Sequence, residues 1–286
     1  MNFGDLPKEF TDYEKSKIVI QSVPYDGTST WIKGADKGPK AIIEASCNME
    51  LYDIETDLEV YKAGIYTAKP ILEKESPESM VNAVFDETCK HLENNKFVAT
   101  LGGEHSISIG TILAYNEYVD NLSVLQIDAH ADLRKEYLGS IYNHACVMAR
   151  VKDLGLPMVQ VGIRSMDEEE RANMDYNNVF FAHDINTSDN FWMNQVVQKL
   201  TDYVYVTIDL DGLDPSIMPS TGTPEPGGLL WYQILELLRI VNEKTHVVGF
   251  DVVELCPNKN HAASDFLASK LVYKCLSYKF KKILSI

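Results

Sequence analysis

Three short stretches hold the residues able to do chemistry. "DAHAD" sets Asp128, His130 and Asp132 at strict two-residue spacing, "DLDGLD" sets Asp209 and Asp211 two apart, and "GGEHS" adds His105 behind two glycines. In an extended chain, residues i, i+2 and i+4 point to one side, so the first three converge if the strand conformation persists through them. Carboxylates beside an imidazole suit Mn(II), Zn(II) or Fe(II) rather than metals that favour thiolates, and Ala129 and Ala131 leave room for close approach. Each motif alone is weak. A lone Asp-x-Asp at a strand end is ordinarily a turn or a cap, and Asp214, followed by Pro215, is read as one. Together, however, the six residues exceed the four ligands of a tetrahedral ion and fit two metals that share bridging carboxylates. Two ions about 3.5–4 Å apart can hold a water, lower its pKa toward neutrality and turn it on a poor electrophile, so the reaction class is hydrolysis.

The elements that must position these residues are short apolar runs alternating with helical patterns. Runs at 17–23, 97–102, 123–129, 158–163, 178–182, 203–210 and 245–253 read as strands, and segments 76–95, 229–243 and 262–280 as helices. Ser76 and Pro77 give the first helix an N-cap and a favoured first residue. Such alternation predicts an α/β fold, a largely parallel sheet with helices on both faces, forming one domain over residues 1–286. Ligands in such sheets bind outside the carboxyl ends of the strands, and "GGEHS", "DAHAD", "DLDGLD" and "DVVE" all fall at those ends.

Composition excludes several classes. The chain has 26 basic and 42 acidic residues, a formal net charge of −16, which argues against a nucleic-acid partner and agrees with a cationic ligand. The N-terminus lacks the basic start and apolar run of a signal peptide, and no apolar segment is long enough to span a bilayer, so no membrane association and a cytoplasmic location are expected. Five scattered cysteines, none in C-x-x-C spacing, suggest neither a disulfide framework nor a structural zinc site.

The three metal motifs together resemble those of the ureohydrolase family, the arginases and agmatinases. "GGEHS", "DAHADLR" and "TIDLDGLDP" match in order and spacing, and "GPKAI" (38–42), "GIRS" (162–165), "TGTPEPGG" (221–228) and "GFDVVEL" (249–255) extend the likeness from about residue 18 to the C-terminus. The resemblance implies a three-layer α/β/α domain of the arginase and deacetylase type, two Mn2+ ions per subunit, and assembly as a homo-oligomer, trimer or hexamer. Carried over by position, one metal would take His105, Asp128, Asp132 and Asp209, the other Asp128, His130, Asp209 and Asp211, with Asp128 and Asp209 bridging. Glu254 would pair with the guanidinium, for which a fixed carboxylate is the natural partner. His144 in "YNHACVMAR" would shuttle a proton to the leaving amine. His91, His183, His246 and His261 have no motif around them and are read as structural.

The likeness also bears on the substrate. Glu104 stands where arginases resemble "GGDHS", and "LRKEYLGSIYN" between Asp132 and His144 lacks the arginase loop that holds an amino-acid carboxylate. A small cationic guanidino compound without a carboxylate is thus expected, with agmatine, cleaved to putrescine and urea, as the leading candidate. Arginine, 4-guanidinobutyrate and 3-guanidinopropionate compete, since Arg134, Arg150 or Arg164 could meet a carboxylate. Glu225 is a distal acid for an amine tail or a loop charge, and Asn143 replaces a Ser common in agmatinases. Two other classes stand beside this reading: a single-zinc polyamine deacetylase, which would not need His105, and an inactive regulatory homologue.

Overall fold

The computed structural model describes residues 1–187, 189 and 191–284. Eight strands form one wholly parallel sheet: β1 (Ile18–Val23), β2 (Ile65–Thr67), β3 (Phe97–Gly102), β4 (Leu122–Ile127), β5 (Met158–Ile163), β6 (Val179–Phe181), β7 (Tyr203–Asp209) and β8 (His246–Val253), in the order β2-β1-β3-β8-β7-β4-β5-β6. The helices are α1 (Gly38–Ser46), α2 (Pro77–Glu93), α3 (Ile107–Tyr118), α4 (Val147–Asp153), α5 (Ala182–Thr187), α6 (Phe191–Lys199), α7 (Trp231–Lys244) and α8 (Ala262–Leu284). Side chains alternate along each strand, which gives two cores. Ile18, Ile20, Leu125, Ile127, Val206 and Ile208 face α1, α6, α7 and α8, while Val23, Val124 and Tyr205 face α2, α3 and α4. The result is a three-layer α/β/α architecture, as the alternating pattern predicts.

Ser76 caps α2 in a reciprocal box with Ser79. By contrast, α3 has no polar face for the eye to find: Ile107–Thr111, Ile112, Ala114 and Tyr115 are buried around nearly its whole circumference, under the site. The edge strand β2 is three residues long and has no alternation to reveal it.

One row of the sheet is polar. Gln21, Thr100, Asp251, Thr207, Gln126 and Gln160 lie in register across β1, β3, β8, β7, β4 and β5. All six are essentially buried. Buried polar groups persist where they find partners, as all of this row but Thr100 do, and the row lies just below the strand ends that carry the motif residues.

Candidate active site

Strand β4 stops at Ile127, so the extended conformation does not carry through "DAHAD". Asp128 ends it by accepting the His130 N–H on Oδ1 at 2.6 Å, a side-chain turn that bends the chain, and Asp132 sits at φ +52. The bend separates the three side chains into two groups. His105 Nδ1 lies 3.1 Å from Asp128 Oδ2, 2.9 Å from Asp132 Oδ2 and 3.5 Å from Asp209 Oδ2. His130 Nδ1 lies 3.0 Å from Asp211 Oδ2 and 3.6 Å from Asp128 Oδ1. Asp128 belongs to both. Asp209 repeats its device at the end of β7, taking the Asp211 N–H on Oδ1 at 2.8 Å and turning Oδ2 toward His105.

Glycines let the backbone close around this cluster. A Cβ on Gly103 would stand 2.0 Å from the Tyr25 carbonyl oxygen, so only glycine fits where the β3 turn crosses the loop after β1. Glu254 follows β8 at φ +66, donates its N–H to the Gly103 carbonyl at 2.7 Å, and accepts the His105 N–H on Oε1 at 2.8 Å.

The polar row orients the cluster. His105 Nε2 lies 2.8 Å from Thr207 Oγ1, whose hydroxyl lies 2.7 Å from Asp251 Oδ1. Asp251 can only accept, so Thr207 donates to it and receives the Nε2–H, which leaves a lone pair on Nδ1. That buried Nδ1 makes no hydrogen bond and faces three carboxylate oxygens. Gln126 Nε2 donates to Asp128 Oδ2 at 2.7 Å, and Gln160 in turn donates to Gln126 Oε1 at 2.6 Å.

Electrostatics point the same way. Burial, then Asp211, Asp128 and Glu254, push the Asp209 carboxyl well above its usual range. Burial and Asp128 push Asp132 up to about 7. Burial opposes protonation of His130, but Asp211 and Asp128 outweigh it and raise the imidazole to about 12. Asp132, Asp209 and the His130 imidazole thus retain protons in place of a stronger positive charge. An imidazole lone pair ringed by carboxylates is a donor set for divalent cations of the harder kind, and the residues therefore fit a metal centre.

Above the cluster opens a cavity of about 270 Å³. His105, His130, Asp132, His144, Asp209, Asp211 and Glu254 line it, and Asp128 lies beneath His105. Burial above all holds His144 down to about 4, so its imidazole is neutral near pH 7. Burial first, and Glu104 next, push Glu254 well above its usual range.

The arginines considered for a carboxylate are otherwise engaged. Arg164 donates to the carbonyls of Pro226, Gly162, Asp211 and Glu225, tying loops together. Arg150 is held by Asp153 and the carbonyls of Lys135 and Ile141. Arg134 reaches the cavity but is paired with Asp167 at 3.0 Å and Glu169 at 2.9 Å, over the ring of Tyr137. The Glu225 side chain is not among the lining groups, and Asn143 is buried, accepting the Ala145 N–H. His91 is buried between Tyr13 and Gln21, a structural placement.

Sequence reasoning overlooked the loop 28–32 at the rim, together with Thr207, Asp251, Gln126 and Gln160 below. The four had a signal: each is a lone polar residue inside an apolar strand run. The loop had none.

A family model described as the arginase family matches residues 16–277. The chain belongs to the arginase family. It is 38% identical to an N(1)-aminopropylagmatine ureohydrolase of Synechocystis, over 96% of this chain and 95% of that protein. It is 33% identical to an agmatinase of Bacillus cereus, over 94% of each. Among solved structures it resembles the agmatine ureohydrolase of Thermoplasma volcanium, with a TM-score of 0.87, 31% identity, and coverage of 96% of this chain and 94% of that one. Arginase-family enzymes are binuclear metal-dependent hydrolases of guanidino C–N bonds that bind small guanidino substrates, and this chain is a ureohydrolase of the family with candidate metal-binding residues. Among its described residues, no helix is long and apolar enough to cross a membrane.

Proposed function

We propose that the chain cleaves the guanidinium group of an amine-tailed guanidine at a two-manganese centre, releasing urea and a polyamine. N(1)-aminopropylagmatine, giving spermidine, is the first substrate reading. Relatives of that name reach 38% identity, against 33% for the agmatinases. Agmatine, giving putrescine, is the second, favoured by the likeness to agmatinases in sequence and structure. The observation that supports an amine tail over a carboxylate is that Arg134, Arg150 and Arg164, the cations able to meet a carboxylate, are all engaged by acids or backbone carbonyls.

His105, Asp128, Asp132 and Asp209 would hold one ion, and Asp128, His130, Asp209 and Asp211 the other. The pair would supply, when bound, a water acidified toward neutrality. Glu254, anchored through the His105 N–H, offers its second oxygen to the planar guanidinium and sets the carbon's position. His144, neutral near pH 7, takes a proton from the attacking water side and passes it to the departing amine as the C–N bond breaks. Deacetylation would leave the pairing role of Glu254 without purpose.

Urea release from manganese-loaded protein, compared across N(1)-aminopropylagmatine, agmatine, arginine, 4-guanidinobutyrate and 3-guanidinopropionate, tests the reading. The two amines should lead in kcat/KM. A clear preference for any of the acids would overturn the substrate assignment. Acetate from an acetylated polyamine, without urea from any guanidine, would overturn the reaction.

A further inference from the structure

Glu104 is fully buried, lies next to His105 and does not line the cavity. Its carboxylate is filled from one side of the rim. Oε2 accepts the N–H groups of Thr28 at 2.6 Å and Ser29 at 2.8 Å, and Oε1 accepts the hydroxyls of Thr28 and Ser106, each at 2.6 Å. Four donors meet the roughly four lone-pair sites of one carboxylate. The loop that carries Thr28 is thereby fastened to the turn that carries His105.

Thr28 then reaches the other way. Its Oγ1 lies 3.1 Å from the His144 backbone N and 3.0 Å from His144 Nδ1. A hydroxyl has one proton and two lone pairs. With the proton committed to Glu104, both lone pairs are left to accept, one from the His144 N–H and one from the ring Nδ1–H. Nδ1 is thus the protonated nitrogen of the neutral ring, and Nε2 is the one left for the cavity that His144 lines. Tyr137, edge-on to the imidazole with centroids 6.1 Å apart, closes the ring from another side.

We propose that Thr28, held by Glu104, is a positioning residue that fixes the ring orientation and the tautomer of His144. The proposal rests on the proton-shuttle role given to His144 above. Its consequence is cyclic: a proton taken up on Nε2 leaves from Nε2 to the departing amine, the C–N electron pair going to that nitrogen, and the ring returns to the Nδ1–H form without rotating. Thr28 itself neither gains nor loses a proton, and it touches no reacting atom.

The test compares Thr28→Val, which keeps shape and deletes the hydroxyl, with Thr28→Ser, which restores it. Misplacing a catalytic group by about 1 Å can cost about 100-fold, so Thr28→Val should lower kcat about 10- to 100-fold with KM within about twofold. Thr28→Ser should recover most of the loss. The second readout is independent of turnover: nitrogen NMR of the imidazoles in protein loaded with diamagnetic zinc(II), near pH 8, with His144 assigned by its loss in His144→Gln. The wild type should carry its ring proton on Nδ1, and Thr28→Val should mix the two tautomers. A wild-type ring protonated on Nε2, or a Thr28→Val protein with unchanged kcat and tautomer, overturns the proposal. If His144→Gln itself keeps full turnover, the shuttle role falls instead, and the tautomer measurement alone then decides whether Thr28 positions the ring.

Discussion

Thr207→Val is the substitution whose effect the structure lets one work out most fully. The hydroxyl it deletes joins His105 Nε2 at 2.8 Å to Asp251 Oδ1 at 2.7 Å, and all three groups are buried. Valine fills nearly the same space, so packing changes little. Two buried polar groups lose a partner, although Asp251 keeps the Tyr205 hydroxyl at 2.7 Å. An orphaned buried group costs about 1–3 kcal/mol, so the expected loss is about 2–4 kcal/mol. For a chain of this length that corresponds to a drop in Tm of about 3–7 °C. A second effect falls on the metal, because the released imidazole no longer has Nδ1 locked toward the aspartates. Losing the partner of a ligating histidine typically weakens metal affinity about 10- to 100-fold. Thermal melts in chelator measure the first effect and Mn(II) titration followed by electron paramagnetic resonance the second, with Thr207→Ser as the control. A Thr207→Val protein whose Tm and Mn(II) affinity both match the parent would refute the view that the polar row orients the centre.

His144→Gln should lower kcat by about 100-fold or more, the contribution of a positioned proton carrier, with metal content unchanged; undiminished kcat counts against its role. In chelator, His130, raised to about 12, contributes stability that is full below its unfolded value and lost as pH rises, and Asp132, raised to about 7, binds a proton that the unfolded chain has already released above about pH 4. The metal-free protein should therefore lose stability between pH 6 and 8. Manganese displaces those protons, so the rise in Tm on adding it should grow over the same interval; calorimetry that finds it shrinking would contradict the ligand assignment. Gly103→Ala places a methyl 2.0 Å from the Tyr25 carbonyl oxygen and should cost at least about 1–3 kcal/mol in denaturant melts, with a null result placing the turn elsewhere.

The motif residues were legible because strand ends in a parallel sheet gather polar clusters, and "GGEHS", "DAHAD" and "DLDGLD" each follow an unmistakable apolar run. What the spacing could not convey was the bend. Period-two spacing suggests convergence on one point, whereas Asp128 caps its own strand and Asp132 adopts positive φ, so the three side chains divide between two groups. Helix α3 was missed because burial on nearly all sides leaves no amphipathic stripe, and β2 because three residues show no period. Gln126, Gln160, Thr207 and Asp251 stood out as polar interruptions, but only the register across strands makes them one row. Thr28 and Glu104 are 76 residues apart, and no local pattern links them.

The most direct test of a two-metal ureohydrolase is to strip the protein, add Mn(II) in measured equivalents and follow urea release from N(1)-aminopropylagmatine and agmatine. No urea should appear at zero equivalents, and the rate should climb until two ions are bound per chain. Turnover in the thoroughly stripped protein, or a plateau reached at one ion per chain, would contradict a two-metal centre.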